Sequence, residues 1–318
     1  MKKILYCAVD IGGTKILLLL IDGKGQVVFK EKSATPEHAN PDNVIKEVSG
    51  LLKKALNVTG YINESNLLTA AGITMAGFID HQSGVVHQSP NLEWPESFPF
   101  KKAMTEELKC PVLLENDANA AVIGEVYYGA AHGHQDVIYI TLSTGIGGGL
   151  FLNGRLYRGS SGFAGEIGHI KPFGEGRNCN CGGCNCLEAW ASGKAIAHSA
   201  SLMWDSSDVE SEKITTSWVF EQAEAGNNLA LNIIEQAADN IGLGLANLVN
   251  LFNPSCIVIG GGVASNRPEF FDMVSKKVKL EAIRPSVMIT PLEIVPAQLE
   301  PEAGIWGMYA LMTNQVVE

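Results

Sequence analysis

The sequence predicts an α/β protein built from two related lobes, each with a mixed sheet flanked by helices. Three observations carry this. A unit of strand, hydroxyl-and-glycine loop, strand, glycine turn and strand occurs twice, beginning near Ile4 and again near Val137, about 130 residues apart. Apolar runs end in Gly or Asx loops that lead into helical patterns, at Glu115–Ala120 and at Gly260–Ala264. The chain has 318 residues, enough for two cores, and no low-complexity linker divides it.

The first unit runs Ile4–Val9 as a buried strand, Asp10-Ile11-Gly12-Gly13-Thr14-Lys15 as a tight turn, and Ile16–Ile21 as a second strand. Asp22-Gly23-Lys24-Gly25 makes a hairpin turn, and Gln26–Lys30 is the third strand. Backbone N–H groups in such a loop can hold a phosphate, and Asp10 at the strand end can hold a metal ion. An ordinary hairpin explains the same residues. Pro41-Asp42 starts a helix with Asp42 as N-cap, and Ile45, Val48, Leu52 and Leu56 share one face. Leu68–Thr74 reads as a strand ending at Met75-Ala76-Gly77, and Ser89–Trp94 as a loop. Phe100–Lys109 is a short helix and Pro111–Leu114 a strand. Asn116-Asp117 then stands where a strand hands over to an Ala-rich helix, so Asp117 is either a site residue or a helix cap.

The second unit begins with Val137–Leu142 as a strand. Ser143–Gly149 is a glycine-rich turn, Leu150–Leu152 a strand, Asn153-Gly154 a hairpin turn, and Leu156-Tyr157 the start of a third strand. Neither loop is a Walker P-loop, and Gly145-x-Gly147 lacks the third glycine of a dinucleotide fingerprint, with Leu150 in its place. Leu187–Trp204 is a helix interrupted near Ser192-Gly193, and 205–213 a polar surface loop. Asn228–Phe252 is a long, largely buried helix. Cys256–Ile259 is a buried strand before Gly260-Gly261-Gly262, where a flat ligand or another backbone can approach closely. Pro268–Leu280 is a helix, Val287–Val295 a strand region, and Glu302–Met312 a last helix, with Gly304 and Gly307 spaced for close packing.

Gly165–Glu188 concentrates the chemistry. It holds His169, four of the seven cysteines (Cys179, Cys181, Cys184, Cys186) and the carboxylates Glu166 and Glu188. Free thiols and disulfides are the plain readings of such a cluster. Thiolate and imidazole are also the ligands zinc prefers, and His169 with three of these cysteines closes a tetrahedral structural site. Net charge is −11, which argues against a nucleic-acid partner. Lys2-Lys3 and the apolar run after it only mimic a signal peptide, since Asp10 ends the run and no cleavage site follows. The apolar runs are too short to span a bilayer. A cytoplasmic, reducing location follows as the expectation, and it favours metal over disulfide.

Taken together, Asp10–Lys15, Ser89–Leu92, Glu115–Ala120, Ser143–Gly149, Gly165–His169, Cys179–Glu188 and Gly260–Gly262 resemble the ROK family of sugar kinases and sugar-responsive repressors. That family lies within the actin-like, hexokinase-type ATPases. The resemblance implies two actin-like ATPase lobes with the active-site cleft between them: a small one of residues 1–117 plus 303–318, and a larger one of 118–302 carrying the zinc loop. It implies transfer of the ATP γ-phosphoryl to a hexose hydroxyl, with glucose first and N-acetylmannosamine, N-acetylglucosamine, fructose or allose as alternatives. Asp117 becomes the catalytic base. Gly77, Asn91, Asn116, Glu166, His169 and Glu188 bind the sugar. Gly12, Gly13, Thr14, Lys15, Thr144 and Gly145 hold the ATP phosphates, Gly261 and Gly262 face the adenosine, and Asp10 acts on Mg²⁺. His169, Cys179, Cys181 and Cys186 hold structural Zn²⁺, with His169 turning its other ring nitrogen to the sugar. A homodimer or homotetramer is the implied assembly.

The chain departs from the family pattern twice. Asn185 replaces a glycine before the last cysteine, with Cys184 as an extra thiol beside it, and Ala76-Gly77 replaces Pro-Gly. Asn tolerates the left-handed backbone, so the turn survives. Two other classes compete. A repressor needs a DNA-binding domain ahead of Asp10, and the start of this sequence leaves no room for one. A non-catalytic sugar sensor would lack the base or a loop, and all are present.

Overall fold

The computed structural model describes residues 4–61, 68–89, 92, 94, 97–171, 176–204, 213–289 and 291–313. Asn91, expected to bind the sugar, and nearly all of the expected polar loop at 205–213 lie outside these. The chain packs as two units: Met1–Gly133 with Gly154–Ala164 and Pro301–Glu318, and His134–Asn153 with Gly165–Glu300.

In the first unit, β1 (Leu5–Ile11), β2 (Lys15–Asp22) and β3 (Val27–Ala34) form an antiparallel meander. β4 (Leu68–Met75) adds parallel to β1, and β7 (Val112–Asn116) parallel to β4, giving the order β3-β2-β1-β4-β7. A short hairpin, β5 (Phe78–Asp80) with β6 (Val85–Gln88), stands apart from this sheet. β1 and β2 are buried nearly throughout, so they read as continuous apolar runs with no alternation. Helix α1 (Pro41–Val58) turns Val44, Val48, Leu51, Leu52 and Ala55 to the core. Its N-cap is Asn40, whose side chain accepts from the Asn43 N–H, and Pro41 fills the first turn. Asp42, expected as the cap, is the second helical residue, because proline prefers the position directly after the cap. Helix α2 (Phe100–Leu108) ends at Lys109 in the left-handed region.

Helix α3 (Asp117–Tyr128) also belongs to the first unit. A boundary at 117/118 would place it in the other lobe. Its packing against α10 (Ala303–Met312) explains why it stays. A Cβ on Gly307 would stand 1.8 Å from the Ala120 carbonyl oxygen, and one on Gly124 would stand 2.1 Å from that of Ala303. Glycine at both faces lets the two backbones touch.

The second unit repeats the plan. β8 (Val137–Leu142) and β9 (Ile146–Leu152) are antiparallel, and β11 (Cys256–Gly260) and β12 (Glu293–Pro296) add parallel in the order β9-β8-β11-β12. The turn Asn153-Gly154, both at positive φ, leads to the two-residue strand β10 (Arg155–Leu156). β9 starts at Ile146, earlier than the expected Leu150, so Gly147, Gly148 and Gly149 are strand residues. Packing explains Gly148: a Cβ there would lie 2.4 Å from the Ile167 side chain and 2.6 Å from the Gly165 carbonyl oxygen. The interrupted helix is α4 (Leu187–Ala191) followed by α5 (Gly193–Met203), with Ser192 capping the second. Helix α6 (Thr216–Glu224) precedes the long α7 (Asn228–Phe252), against which α8 (Pro268–Glu281) packs. Val287, expected in a strand, lies in α9 (Arg284–Met288), whose Pro285 suits a first helical turn.

Candidate active site and metal centre

In the first unit, three expected residues meet at the junction of β7 and α3. The Asn116 side-chain oxygen accepts from the Ala118 N–H at 2.9 Å and the Asn119 N–H at 3.2 Å, so Asn116 is the N-cap of α3. Its amide donates to the Gly77 carbonyl at 3.3 Å. Gly77 has φ +150, and a Cβ there would strike the Gln88 carbonyl oxygen at 2.5 Å. With the cap supplied by Asn116, Asp117 is left as the first helical residue. Its carboxylate accepts the Ala118 N–H at 2.9 Å.

Asp10 lies on β1, opposite Thr74 of β4. Desolvation raises its carboxyl from 3.8 to about 7; the Asp117 charge adds to this, and Lys15 opposes it. Asp117 is raised too, by desolvation, against the hydrogen bond from Ala118. Two acids that share one poorly solvated site hold their protons more tightly, and a hard cation beside them reverses that. Oxygen ligands of this kind suit Mg²⁺. Beyond Asp10, the Gly12 N–H donates to the Lys15 carbonyl at 2.9 Å and the Thr35 hydroxyl donates to the Gly12 carbonyl at 2.6 Å. Gly13 and Thr14 are left exposed at the turn.

Behind Asn116 lies a network the sequence reading missed. Glu115 is 3% exposed. Its Oε1 accepts the Asn116 N–H at 3.0 Å and the Asn119 amide at 3.1 Å. Its Oε2 accepts from Arg158 Nε at 2.9 Å, with Nη2 also at 2.9 Å. Nothing in the spacing of residues 115 and 158 signals this pair. A cavity of about 420 Å³ opens nearby, lined by Asp80, His81, His87, Arg158, Ser160 and Phe163 among others. None of the expected site residues lines it.

In the second unit, one ligand atom from each of His169, Cys179, Cys181 and Cys186 lies within 4.8 Å of all the others. His169 comes from a single 3-10 turn (Ile167–His169) and the cysteines from the loop before α4. Cys181 Sγ and Cys186 Sγ are 3.7 Å apart, and Cys179 Sγ is 3.8 Å from His169 Nδ1. Zinc bonds of about 2.3 Å to sulfur place tetrahedral neighbours about 3.7–3.8 Å apart, so the residues fit the ion. Burial pushes Cys186 up to about 12 and raises Cys179, and a cation at the centre is what lets such thiols ionise. Cys184 is exposed and is not part of the group. Asn185 has φ +60, the left-handed turn expected of it.

The carboxylates flank this cluster. His169 Nε2 faces Glu166 Oε2 at 3.8 Å, so the imidazole turns one nitrogen to the thiols and the other away. Glu188, in the first turn of α4, accepts the Ile146 N–H through Oε2 at 2.8 Å. A Cβ on Gly145 would lie 2.4 Å from that oxygen. Thr144 is exposed beside it. Gly261 (φ +90) and the exposed Gly262 follow β11.

The ROK family model matches residues 6–315. A glucokinase of Halalkalibacterium halodurans is 36% identical over 325 aligned residues, covering 98% of this chain and 95% of that protein. A ROK hexokinase from Thermus thermophilus has a TM-score of 0.80 at 33% identity, covering 98% of this chain and 99% of that one. A ROK family glucokinase from Streptomyces griseus, solved in complex with glucose and AMPPNP, has a TM-score of 0.77 at 33% identity, with the same coverage. A match of this extent, agreeing in sequence and in backbone, makes the chain a member of the ROK family.

Proposed function

We propose that this protein is an ATP-dependent sugar kinase that transfers the γ-phosphoryl of ATP to a hexose hydroxyl, with glucose as its first substrate. The observation that carries the reading is Asp117: Asn116 takes over the capping of α3, and poor solvation beside Asp10 raises the proton affinity of the Asp117 carboxylate. Such a group is poised to take a proton.

Phosphoryl transfer proceeds through a loose transition state, so positioning and charge neutralisation dominate. The exposed turn at Gly13-Thr14 and the loop at Thr144-Gly145 offer backbone N–H groups to the phosphates. Asp10 would hold Mg²⁺, whose charge would offset that of the phosphates. Asp117 takes the proton of the attacking hydroxyl late, as the oxygen bonds to phosphorus. General-base help of this kind is worth about 10²–10⁴-fold, roughly 3–5 kcal/mol. The reading assigns the sugar hydroxyls to Gly77, Asn91, Asn116, Glu166, His169 and Glu188.

His169, Cys179, Cys181 and Cys186 would hold zinc as a structural ion, their four ligand atoms filling a tetrahedron. Held that way, His169 would keep Nε2 turned toward Glu166, and the loop leading into α4, which carries Glu188, would be braced. Among the described residues no helix is long and apolar enough to cross a membrane.

The test is sugar-dependent ADP release with ATP and Mg²⁺, across glucose, mannose, fructose, allose, N-acetylglucosamine and N-acetylmannosamine. Highest kcat/KM on glucose supports the full reading. An N-acetyl sugar in first place moves the substrate and keeps the chemistry. Binding of sugar without ADP release from any of them overturns the kinase reading.

A further inference from the structure

The three glycines after β11 owe their lack of a side chain to different neighbours. At Gly260, a Cβ would stand 2.2 Å from Glu300 Oε1. At Gly261, φ is +90 and a Cβ would stand 2.2 Å from the Leu142 carbonyl oxygen. At Gly262, a Cβ would meet no atom within 4 Å, and the residue is exposed. The fold itself therefore explains the first two glycines and not the third. Open space beside an exposed glycine is what a ligand passing close to the backbone needs.

Glu300 holds this loop in shape. Its Oε1 accepts the Gly261 N–H at 2.5 Å and the Tyr139 hydroxyl at 3.2 Å. Its Oε2 accepts the Ser265 hydroxyl at 2.9 Å, and that hydroxyl also lies 3.0 Å from the Gly261 carbonyl. On its other side the loop is tied to β8, since the Val263 N–H donates to the Leu142 carbonyl at 2.8 Å. Leu142 immediately precedes Ser143-Thr144-Gly145. One carboxylate thus clamps the Gly261 turn between β8 and the stretch after β12. Glu300 is also the last residue of the second unit, and the chain enters the first unit at Pro301.

We propose that Glu300 is a positioning residue for the phosphoryl donor: it sets the backbone of Gly261-Gly262 against which the nucleotide lies. The proposal rests on the reading of Gly261 and Gly262 as the adenosine face of an ATP site. Glu300 does not touch the reacting atoms. Its three donors, the Gly261 N–H and the Tyr139 and Ser265 hydroxyls, fix both carboxylate oxygens on the loop. Hydrogen bonds to a charged group are the strong ones, and losing this set frees a turn that must stay at positive φ.

Kinetics of Glu300→Ala, Glu300→Gln and Gly262→Ala against both substrates test it. Glu300→Ala raises the KM for ATP at least about tenfold while the KM for the sugar holds. Glu300→Gln, whose side-chain oxygen still accepts from Gly261, recovers most of the loss. Unchanged KM for ATP in Glu300→Ala overturns the proposal. So does an equal rise in both KM values that Glu300→Gln fails to relieve, which is what a purely structural role produces. Gly262→Ala separates the two levels. A raised KM for ATP there with none in Glu300→Ala removes the role of Glu300 and keeps the nucleotide face. No effect of Gly262→Ala on ATP removes the nucleotide face and the proposal with it.

Discussion

Glu188 Oε2 accepts the Ile146 N–H at 2.8 Å while its Oε1 stands 4.0 Å from Cys179 Sγ. One side chain thereby reaches from the His/Cys cluster to the glycine loop before β9. Glu188 is a sugar ligand in the proposed reaction, and this contact makes the phosphate loop depend on the same carboxylate.

Gly145→Ala tests that dependence. The added methyl would lie 2.4 Å from Glu188 Oε2, so the carboxylate has to leave Ile146. Overpacking of this kind costs about 1–3 kcal/mol, and displaced ligands cost at least about tenfold in kcat/KM. Steady-state kinetics and a melting curve read the two effects. Unaltered kcat/KM would show that the contact is incidental.

The metal cluster makes a contrast between two cysteines close in sequence. Cys181→Ala removes a ligand, and the protein loses zinc and sugar affinity together. Cys184→Ala keeps both, because Cys184 is outside the group of converging ligand atoms. Metal analysis of the two purified variants checks this. Zinc lost from Cys184→Ala and kept in Cys181→Ala would reverse the ligand assignment.

Asp10 ties stability to pH. In the unfolded chain its carboxyl ionises near 3.8, whereas in the fold desolvation and the Asp117 charge hold it to about 7. Between those values the folded state binds more protons, so the Asp10 contribution to stability falls as pH rises from about 4 to about 7, then levels. Asp10→Asn removes this penalty. Without Mg²⁺ the variant's advantage in unfolding free energy over the parent should grow from pH 4.5 to about 7 and then level, reaching on the order of 1 kcal/mol. Stabilisation of the parent by Mg²⁺ should grow over the same window, since the ion binds the ionised form. A difference between variant and parent that does not change with pH would contradict the assigned shift.

Arg158→Ala leaves Glu115 as a buried charge without its guanidinium partner. Breaking a buried pair from one side costs about 3–5 kcal/mol. Glu115 also holds the Asn116 N–H and the Asn119 amide, so the loss should appear in kcat as well as in stability. Denaturant unfolding and turnover, measured on the same preparation, check both. A variant as stable as the parent would show that Glu115 is satisfied without Arg158.

The helices and strands that were legible in the sequence are those with strong local signals. The long apolar pattern of α7 and the buried runs of β1, β2 and β8 stand where periodicity put them. The break between α4 and α5 was readable from Ser192-Gly193. What the sequence hid depends on residues far apart in the chain. Gly147–Gly149 read as a loop because glycine is rare in strands, and the need for glycine at 148 comes from the Gly165–Ile167 segment lying against β9. Helix α3 stays with the first unit through contact with α10, which no local pattern announces. Asp117 was recognisable as a candidate from its place after a strand, whereas the supporting pair Glu115–Arg158 and the clamp at Glu300 carry no motif.

The most direct test of the central claim is turnover of Asp117→Asn with ATP, Mg²⁺ and saturating glucose, alongside its affinity for glucose. Asparagine keeps the shape of the side chain and cannot take the proton. The account predicts a loss of at least about 10²-fold in kcat with sugar binding largely retained. Turnover close to that of the parent would contradict it.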